Sequence, residues 1–226
     1  MKIAVPNLSP GAIHLWELDL DHFVFNDVLS EDERARAAKF RFDHDRKRFT
    51  SGRTALRLLL AGYLKTNPEK IQFTYGPAGK PSVPNSALSF NLAHSGPNAL
   101  LAFTLGQQLG ADIEQIRQID DMPTVAQYSF APGEFRRWQA LPADQKTRAF
   151  YRCWTRKEAY LKAIGEGIAQ RLQKFEVAFE PGAAPAILNG VQGAWTIIDT
   201  SREPYAAAIA CDAASPTLET FSLASI

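Results

Sequence analysis

A short charged segment in the second half of the chain carries side chains that could do acid–base or metal chemistry. Glu158 and Lys162 lie four residues apart in a run of strong helix formers from Arg148 to Ala163, and Gly165 ends that run. The spacing places both side chains on one helical face. One interpretation is an ordinary i,i+4 pair on a solvated helix, worth about 0.3–0.5 kcal/mol. The other is a carboxylate and an ammonium presented together to a substrate.

Two further carboxylates follow a buried strand. The apolar run 98–105 predicts that strand, and a second short strand then carries Asp112 and Glu114. Residues two apart in a strand point to the same side, where like charges repel unless a cation lies between them. When it stands alone, a D-x-E sequence is more typical of two acidic side chains on the solvated edge of a sheet. Together with Glu158, the two acids could instead bind a hard divalent ion, because Mg²⁺ uses a few carboxylates together with phosphate oxygens and water.

A third segment contains His94, where a strand beginning at Leu88 runs into a polar turn. By itself this histidine predicts a hydrogen-bonded structural residue. The order of three motifs is more specific: F-N-L-A-H-S, then G-A-D-I-E, then W-T-R-K-E-A-Y-L-K-A-I-G-E-G. This order and spacing resemble the 4′-phosphopantetheinyl transferases, most closely the long Sfp-type branch that activates peptide and polyketide synthases. The resemblance runs from about residue 30 to the C-terminus.

The resemblance implies a transferase that moves the 4′-phosphopantetheine group of coenzyme A to a serine of an apo acyl or peptidyl carrier protein. It implies dependence on Mg²⁺, with Mn²⁺ as the alternative ion, and release of 3′,5′-ADP. The implied metal ligands are Asp112, Glu114 and Glu158, of which Glu114 varies among relatives. Glu158 is also the candidate general base, and Lys162 offsets charge on the leaving group. The implied catalytic residues are Glu158, Lys162 and Asp112, and those that bind coenzyme A are Arg36, Arg48, Lys80, His94 and Lys162.

A basic segment lies near the start of the chain. Residues 34–57 contain nine Lys or Arg against two Asp, in a chain whose net charge is only +1. A solvated face, nucleic acid, an acidic protein surface and a polyphosphate ligand are all compatible with such a segment. It is not expected to expose aromatic residues interleaved with the basic ones, and it lacks the zinc or helix-turn-helix signatures of nucleic-acid binding. The resemblance selects coenzyme A and an acidic carrier protein. Glu33 stands where some relatives have lysine, and the role of Arg53 stays open.

Lys80 belongs to a G-K-P turn that matches the family, where the lysine contacts the nucleotide end of coenzyme A. A glycine allows the backbone to approach a phosphate, and a lysine adds a point charge. Outside this family context the same three residues predict only a surface turn. Ala93 replaces a serine that often precedes the histidine, which removes one hydrogen bond to the ligand.

Composition limits the class of protein. Of 226 residues, 46% are hydrophobic, which is enough for a sizeable core. Cys153 and Cys211 lie too far apart in the sequence for a C-x-x-C site and argue against a disulfide scaffold, so a reduced, cytoplasmic setting is expected. No apolar stretch approaches the length of a membrane span, and Met1-Lys2 does not lead into a signal peptide. Neither a membrane nor nucleic acid is therefore expected as a partner.

The resemblance implies an α+β fold. The family implies two similar subdomains related by a pseudo-twofold axis, with the active site in the cleft between them. They correspond to residues 1–106, with the basic coenzyme A-binding face, and 107–226, with the metal ligands. No residue-level repeat is visible, and an internal pseudo-dimer favours a monomer. Strands are predicted at 12–20, 71–74, 88–95, 98–105, 172–179, 193–199, 205–211 and 217–223, and helices at 34–39, 45–64, 123–130, 132–141 and 148–163.

Two other functions are compatible with the same residues. In a metal-dependent phosphohydrolase, water replaces the carrier serine. A non-catalytic module would only bind coenzyme A or a carrier, but the intact set Asp112, Glu158 and Lys162 argues against it. The helices between residues 118 and 141 are the expected carrier-docking region. Their apolar residues Met122, Phe130 and Phe135 are either exposed for docking or part of the core.

Overall fold

The computed structural model describes residues 3–23, 28–167 and 171–223. The described helices are α1 (Glu31–Ala37), α2 (Asp43–Tyr63), α3 (Met122–Ser129), α4 (Pro132–Gln139) and α5 (Ala143–Ile164). The strands are β1 (Ala12–Asp19), β2 (Thr74–Tyr75), β3 (Pro81–Ser82), β4 (Leu88–Ser95), β5 (Asn98–Leu105), β6 (Leu109–Gln115), β7 (Glu176–Val177), β8 (Ile187–Asn189), β9 (Thr196–Asp199), β10 (Tyr205–Cys211) and β11 (Thr217–Ser222). None of these helices is both long and apolar enough to cross a membrane.

The two main sheets repeat one topology, which confirms the expected α+β fold with two similar halves. The first sheet has the order β11-β1-β5-β4 and the second has the order β6-β10-β9. In the first half, β5 pairs antiparallel with both β1 and β4. In the second half, β10 pairs antiparallel with both β6 and β9 in the same way. In the sequence, the long helix α2 lies between β1 and β4, and the long helix α5 lies between β6 and β9. Two copies of one supersecondary unit therefore make up most of the described chain.

The halves pack sheet to sheet. One apolar cluster joins α2 to the outer face of the first sheet, and a second joins α3, α4 and α5 to the outer face of the second. A third cluster lies between the sheets and contains Leu15 and Ala102 from the first sheet and Ala111 and Ile209 from the second. Each sheet is thus buried on both faces, which accounts for long apolar strands such as β5.

Strand β1 departs from the half-buried strand that its alternating sequence predicts. His14, on the polar phase of that alternation, is completely buried, and its Nδ1 lies 2.8 Å from the Tyr63 hydroxyl. Trp16 Nε1 donates to the same hydroxyl at 2.9 Å. Because helix α2 covers one face of β1 and the second sheet covers the other, even His14, on the polar phase, becomes enclosed. A sequence shows alternation, but it does not show a second covering layer.

A buried ion pair joins α1 to α2 in the first half. Glu33, at the third position of α1, accepts a hydrogen bond from the Ser30 backbone N–H at 3.0 Å, as in a capping box. The same carboxylate accepts from Arg57 Nε at 2.5 Å and from Arg53 Nε at 2.6 Å. Arg57 also donates to two carbonyl oxygens in the segment 68–71. Glu33 and Arg53, whose roles the sequence left open, are therefore partners in a structural network.

The second half repeats this arrangement between α4 and α5. Glu134, also at the third helical position, accepts from the Ala131 backbone N–H at 2.8 Å and from Lys157 Nζ at 2.6 Å. Lys157 donates in addition to the Phe175 carbonyl oxygen at 2.5 Å. The ion-paired residues are 24 apart in the first half and 23 apart in the second. This is a residue-level repeat, and the exchange of arginine for lysine hides it in the sequence.

The end of the chain returns to the first half. Strand β11 lies in the predicted second subdomain, residues 107–226, but it pairs in parallel with β1 of the first, from Ala12↔Thr217 to Glu17↔Ser222. The division expected at residue 106 thus separates the two repeats but does not separate the two sheets. The strands expected at 71–74 and 172–179 are two residues long, at Thr74–Tyr75 and Glu176–Val177. A 3₁₀ turn lies just before the first segment, and another occupies the start of the second.

Candidate active site

Strand β6 and helix α5 approach each other closely at Gly110. A Cβ placed on Gly110 would lie 2.1 Å from the Ala159 carbonyl oxygen and 2.3 Å from the Ala163 backbone nitrogen. Any side chain here would push the strand and the helix apart, so the glycine of G-A-D-I-E is a requirement of packing. The contact brings Asp112, two residues further along the strand, to the face of α5 that carries Glu158.

Asp112 and Lys162 form an ion pair across this contact. The Lys162 ammonium donates to Asp112 Oδ1 at 2.5 Å. The interpretation of a solvated helix with a Glu158–Lys162 pair is therefore wrong: Lys162 pairs with the neighbouring strand, and Glu158 is only 2% exposed. The reason is that α5 packs on the sheet along most of its length, so that this helical face meets β6 and is not in water.

Two carboxylate oxygens in this cluster have no hydrogen-bond partner among the residues that the structure describes. They are Asp112 Oδ2 and Glu158 Oε1, and both are buried. Burial raises the pKa of Asp112 to about 6, partly offset by Lys162. Burial and then the charge of Asp112 raise the pKa of Glu158 to about 7. Buried carboxylates without donors are unfavourable, and a cation relieves this. These carboxylates therefore fit a hard divalent ion whose remaining coordination positions are filled by substrate oxygens and water.

Glu114 has a different partner. Its Oε2 accepts from the Ser95 hydroxyl at 3.0 Å, and the same hydroxyl accepts from the Gln115 backbone N–H at 3.0 Å. Within the described ranges, no three His, Cys, Asp or Glu side chains form a metal-binding group on their own. The structure thus brings Asp112 and Glu158 together as the inner pair, with Glu114 beside them and hydrogen-bonded to β4.

His94 lies at the end of β4, on the first-half side of the cleft, and is exposed. Desolvation by the surrounding protein lowers the pKa of His94, and the positive charges of Lys162 and Arg48 lower it further. Arg48 is held by two hydrogen bonds to Asp21, both 2.8 Å long. The imidazole is therefore within electrostatic range of a cation of the first half and a cation of the second.

The remaining basic residues expected to bind coenzyme A differ in their surroundings. Arg36 is exposed, and its guanidinium lies 5.5 Å from the ring centre of Phe49, the residue after Arg48. The Lys80 ammonium instead donates to the carbonyl oxygens of Leu109 and Ala163. Burial lowers the pKa of Lys80 to about 8. These two carbonyl groups are a different set of partners from the phosphate that the family resemblance implies.

A cleft is lined by two of these groups, Lys80 and Lys162. A cavity of about 150 Å³ is shared by the G-K-P turn, β4 and the end of α5, and a neighbouring pocket of about 630 Å³ continues along the C-terminal end of α5. The smaller cavity is lined by Ala78, Gly79, Lys80, Asn91, Leu92, Lys162, Gly165 and Glu166. Both halves of the molecule contribute to it, as expected for a site between two subdomains.

Two residues that the sequence left without a role connect β4 to β6. Asn91 Oδ1 accepts from the Ala111 backbone N–H at 3.0 Å, and Ser95 holds Glu114 as described above. Both belong to the F-N-L-A-H-S motif, and their position beside His94 was the available signal. They fix the strand of the histidine to the strand of the metal ligands.

Helices α3 and α4 do not expose the apolar residues considered for docking. Met122 and Phe130 are 6% and 1% exposed, and Phe135 is half-buried against the second core. The interpretation of Met122 and Phe130 as core residues is the correct one. The large exposed side chain of α3 is Tyr128.

Comparison with known families matches both halves of the chain. Residues 108–210 match a family described as the 4′-phosphopantetheinyl transferase superfamily, and residues 15–105 match one described as 4′-phosphopantetheinyl transferase, N-terminal. A solved holo-(acyl-carrier-protein) synthase from Bacillus anthracis, in complex with CoA (3′,5′-ADP), overlays with a TM-score of 0.41 at 20% identity, over 46% of this chain and 93% of that one.

Curated relatives extend the match along most of the chain. The 4′-phosphopantetheinyl transferase HetI of Nostoc sp. is 41% identical over 205 residues, 86% of this chain and 85% of the relative. A phosphopantetheinyl transferase of Thraustochytrium sp. is 32% identical, over 81% of this chain and 72% of the relative. The transferase Sfp of Bacillus subtilis is 29% identical, over 68% and 67%. This chain is therefore an enzyme that belongs to the 4′-phosphopantetheinyl transferase superfamily.

Proposed function

We propose that this protein transfers the 4′-phosphopantetheine group of coenzyme A to a serine of an apo acyl or peptidyl carrier protein and releases 3′,5′-ADP. Family membership supports the transferred group and the class of acceptor. The observation that carries the proposal is the pair of unpartnered, buried oxygens of Asp112 and Glu158 beside the Lys162 ammonium. A divalent cation that enters with a pyrophosphate-bearing substrate would supply the positive charge between the carboxylates and the phosphate oxygens.

The carboxylates fit a divalent metal ion. Asp112 and Glu158, with Glu114 as the third ligand, would hold Mg²⁺, or Mn²⁺ as the alternative, and the bound ion would neutralise charge on the pyrophosphate of coenzyme A. Ser95 supports this assignment because it holds Glu114 on the same side of β6 as Asp112.

Cations of the first half would hold the nucleotide end of coenzyme A. Arg48 lies close enough to His94 for its charge to lower the pKa of the imidazole, and the guanidinium of Arg36 lies 5.5 Å from the ring centre of Phe49, the residue after Arg48. An arginine fork forms two parallel hydrogen bonds to a phosphate. The 3′-phosphate is the proposed partner for Arg48, which would then exchange its two hydrogen bonds to Asp21 for hydrogen bonds to the phosphate. Lys162, beside Asp112, is the candidate for the pyrophosphate.

The chemical step is a displacement at phosphorus. The carrier serine oxygen bonds to the β-phosphorus, which bears pantetheine. The bond from that phosphorus to the bridging oxygen breaks, and its electron pair leaves with 3′,5′-ADP. Glu158 accepts the serine proton. Lys162 donates to charge that develops on the leaving phosphate, since an ammonium has three N–H groups.

Mass spectrometry of an apo carrier protein incubated with the enzyme, coenzyme A and Mg²⁺ tests this function. A gain of one phosphopantetheine unit on serine supports transfer. Free phosphopantetheine with an unmodified carrier would identify a phosphohydrolase, and absence of both products would identify a binding module.

Two further measurements test the proposed partner and the proposed monomer. Transfer to carriers with an acidic or a neutral surface, compared at low and high salt, tests the acidic partner. Sedimentation of the free enzyme tests the monomer.

A further inference from the structure

Lys80 reaches from the first half to two backbone carbonyl groups of the second. It stands in a tight turn between β2 and β3, which Gly79 allows with a φ of +79°. Its ammonium donates to the Leu109 carbonyl oxygen at 2.9 Å and to the Ala163 carbonyl oxygen at 2.7 Å. A Cβ placed on Gly165 would lie 3.6 Å from Lys80 Cδ, so the stem of the lysine lies against the end of α5.

The two carbonyl groups belong to the elements that carry the catalytic side chains. Leu109 opens β6, three residues before Asp112. Ala163 follows Lys162 in the last turn of α5, where carbonyl groups lack intrahelical donors. A single ammonium therefore bridges the strand of Asp112 and the helix end of Lys162, close to the Gly110 contact between the same two elements.

We propose that Lys80 is a positioning residue, which holds β6 against the C-terminal end of α5 and thereby sets the separation of Asp112, Glu158 and Lys162. This inference rests on the proposed transfer function. It replaces the role of a 3′-phosphate ligand that the family resemblance implies for Lys80. Two of its three N–H groups already donate to carbonyl oxygens of the second half. An arginine has five N–H groups, so Arg48, which donates two of them to Asp21, keeps three, and Arg36 is exposed.

Loss of the bridge has an effect that differs from loss of a phosphate ligand. Without the ammonium, two partly enclosed carbonyl oxygens lose their donor, and the strand and the helix end are free to separate slightly. A misplacement of catalytic groups by about 1 Å can lower turnover by about a hundred-fold. Metal affinity also falls, because Asp112 and Glu158 lie on the two elements that separate. Discrimination between coenzyme A and its 3′-dephospho form is unaffected.

The test is Lys80→Met, which removes the ammonium and keeps most of the stem. We expect turnover to fall about ten- to a hundred-fold with both coenzyme A and 3′-dephospho-coenzyme A, with the ratio of their KM values unchanged. Mn²⁺ affinity, measured by electron paramagnetic resonance without coenzyme A, should fall several-fold. Arg48→Met is the contrasting variant, in which the KM ratio changes. Lys70→Met, at an exposed lysine of a 3₁₀ turn, is the matched control with wild-type behaviour.

The opposite pattern would overturn the inference. If Lys80→Met raised the KM for coenzyme A much more than for its 3′-dephospho form, with turnover and Mn²⁺ affinity retained, Lys80 would be a phosphate ligand. Unchanged turnover, KM ratio and Mn²⁺ affinity would also exclude the positioning role. Failure of the transfer function is distinguishable, because the wild-type enzyme would then modify no carrier, whatever residue stands at position 80.

Discussion

At the scale of single residues, we predict two roles for Lys162: it donates to charge on the leaving phosphate, and it pairs with Asp112. Lys162→Ala should lower turnover about 10²–10³-fold, as expected for a pre-placed donor to charge that develops in the transition state. The affinity for coenzyme A should change much less, because such contacts strengthen in the transition state. Metal affinity without coenzyme A should rise, since the variant frees Asp112 Oδ1 from the ammonium. Steady-state kinetics and Mn²⁺ titration measure the three quantities.

The matched control is Arg148→Ala, because Arg148 lies on the same helix and its side chain is 62% exposed. It should leave turnover and metal affinity unchanged. Lys162→Arg keeps the positive charge and should not restore full turnover, because a planar fork does not replace a compact ammonium. Wild-type turnover in Lys162→Ala would show that the ion pair with Asp112 is only structural.

Arg48 should read the 3′-phosphate. Arg48→Ala is expected to weaken binding of coenzyme A by about 1.5–3 kcal/mol, the range for a hydrogen bond to a charged group. Binding of 3′-dephospho-coenzyme A should weaken much less. Calorimetry with both ligands provides the measurement, and Arg46→Ala on an exposed turn of α2 is the control. Equal losses for both ligands would assign Arg48 to another part of coenzyme A.

The raised pKa values of Asp112 and Glu158 predict how the metal-free protein responds to pH. With a folded pKa of about 6 for Asp112 and about 7 for Glu158, the folded state binds more protons than the unfolded state from pH about 4 to 7. Their contribution to the free energy of unfolding therefore decreases as pH rises through this window. Chemical denaturation in chelator at about pH 5 and pH 8 measures it.

The double variant Asp112→Asn/Glu158→Gln should lose the part of the pH dependence that comes from these two carboxylates. The difference in the free energy of unfolding between the variant and the wild type removes the contribution of all other titrating groups. It should be at least as stable as the metal-free wild type at the higher pH, although it transfers no phosphopantetheine. Addition of Mg²⁺ should stabilise only the wild type. Identical pH dependence in both proteins would show that the two carboxylates are not destabilised by burial.

At the scale of elements, the contact of β6 with α5 is set by Gly110. Gly110→Ala should lower the free energy of unfolding by about 1–3 kcal/mol or more, because the new methyl group meets helix backbone that cannot rotate away. Turnover of the folded fraction should fall as well. Gly52→Ala is the control: its methyl group would meet Leu20 and Leu92 at an ordinary 3.5 Å, so it should be neutral or stabilising. Thermal unfolding of both variants distinguishes crowding from a general intolerance of alanine.

At the scale of the whole molecule, the halves should unfold together. The apolar cluster between the sheets joins them, and β11 connects the end of the chain to the first sheet. Glu134→Ala removes one partner of the fully buried pair with Lys157 and should lower the free energy of unfolding by about 3–5 kcal/mol. The transition should stay single, and near-ultraviolet and far-ultraviolet signals should change together. Two separate transitions would mean that the sheet interface does not couple the halves.

The exposed pair of Arg148 with Glu203 provides the comparison for this variant. Its side chains are 62% and 60% exposed, so Arg148→Ala should change stability by less than about 1 kcal/mol. The difference between the two variants measures the effect of burial on an ion pair. A loss at Glu134 as small as that at Arg148 would contradict the assigned role of the repeated network.

Local properties of the sequence alone determined much of this protein. The helix that carries Glu158 and Lys162, the strand with Asp112 and Glu114 on one side, and the strand that ends at His94 follow from periodicity and from glycine positions. These signals involve residues within a few positions of each other, so the amino-acid order contains them in full. The three motifs in order also identified the family, and with it the repeated α+β fold.

Only the tertiary structure decided which distant groups meet. It pairs Lys162 with Asp112 and not with Glu158, directs the Lys80 ammonium to two carbonyl groups, and returns β11 to the first sheet. It also buries His14 on the polar phase of its strand. In each case the partner lies on another element or layer. Burial and long-range pairing depend on how layers stack, and local sequence patterns do not contain that information.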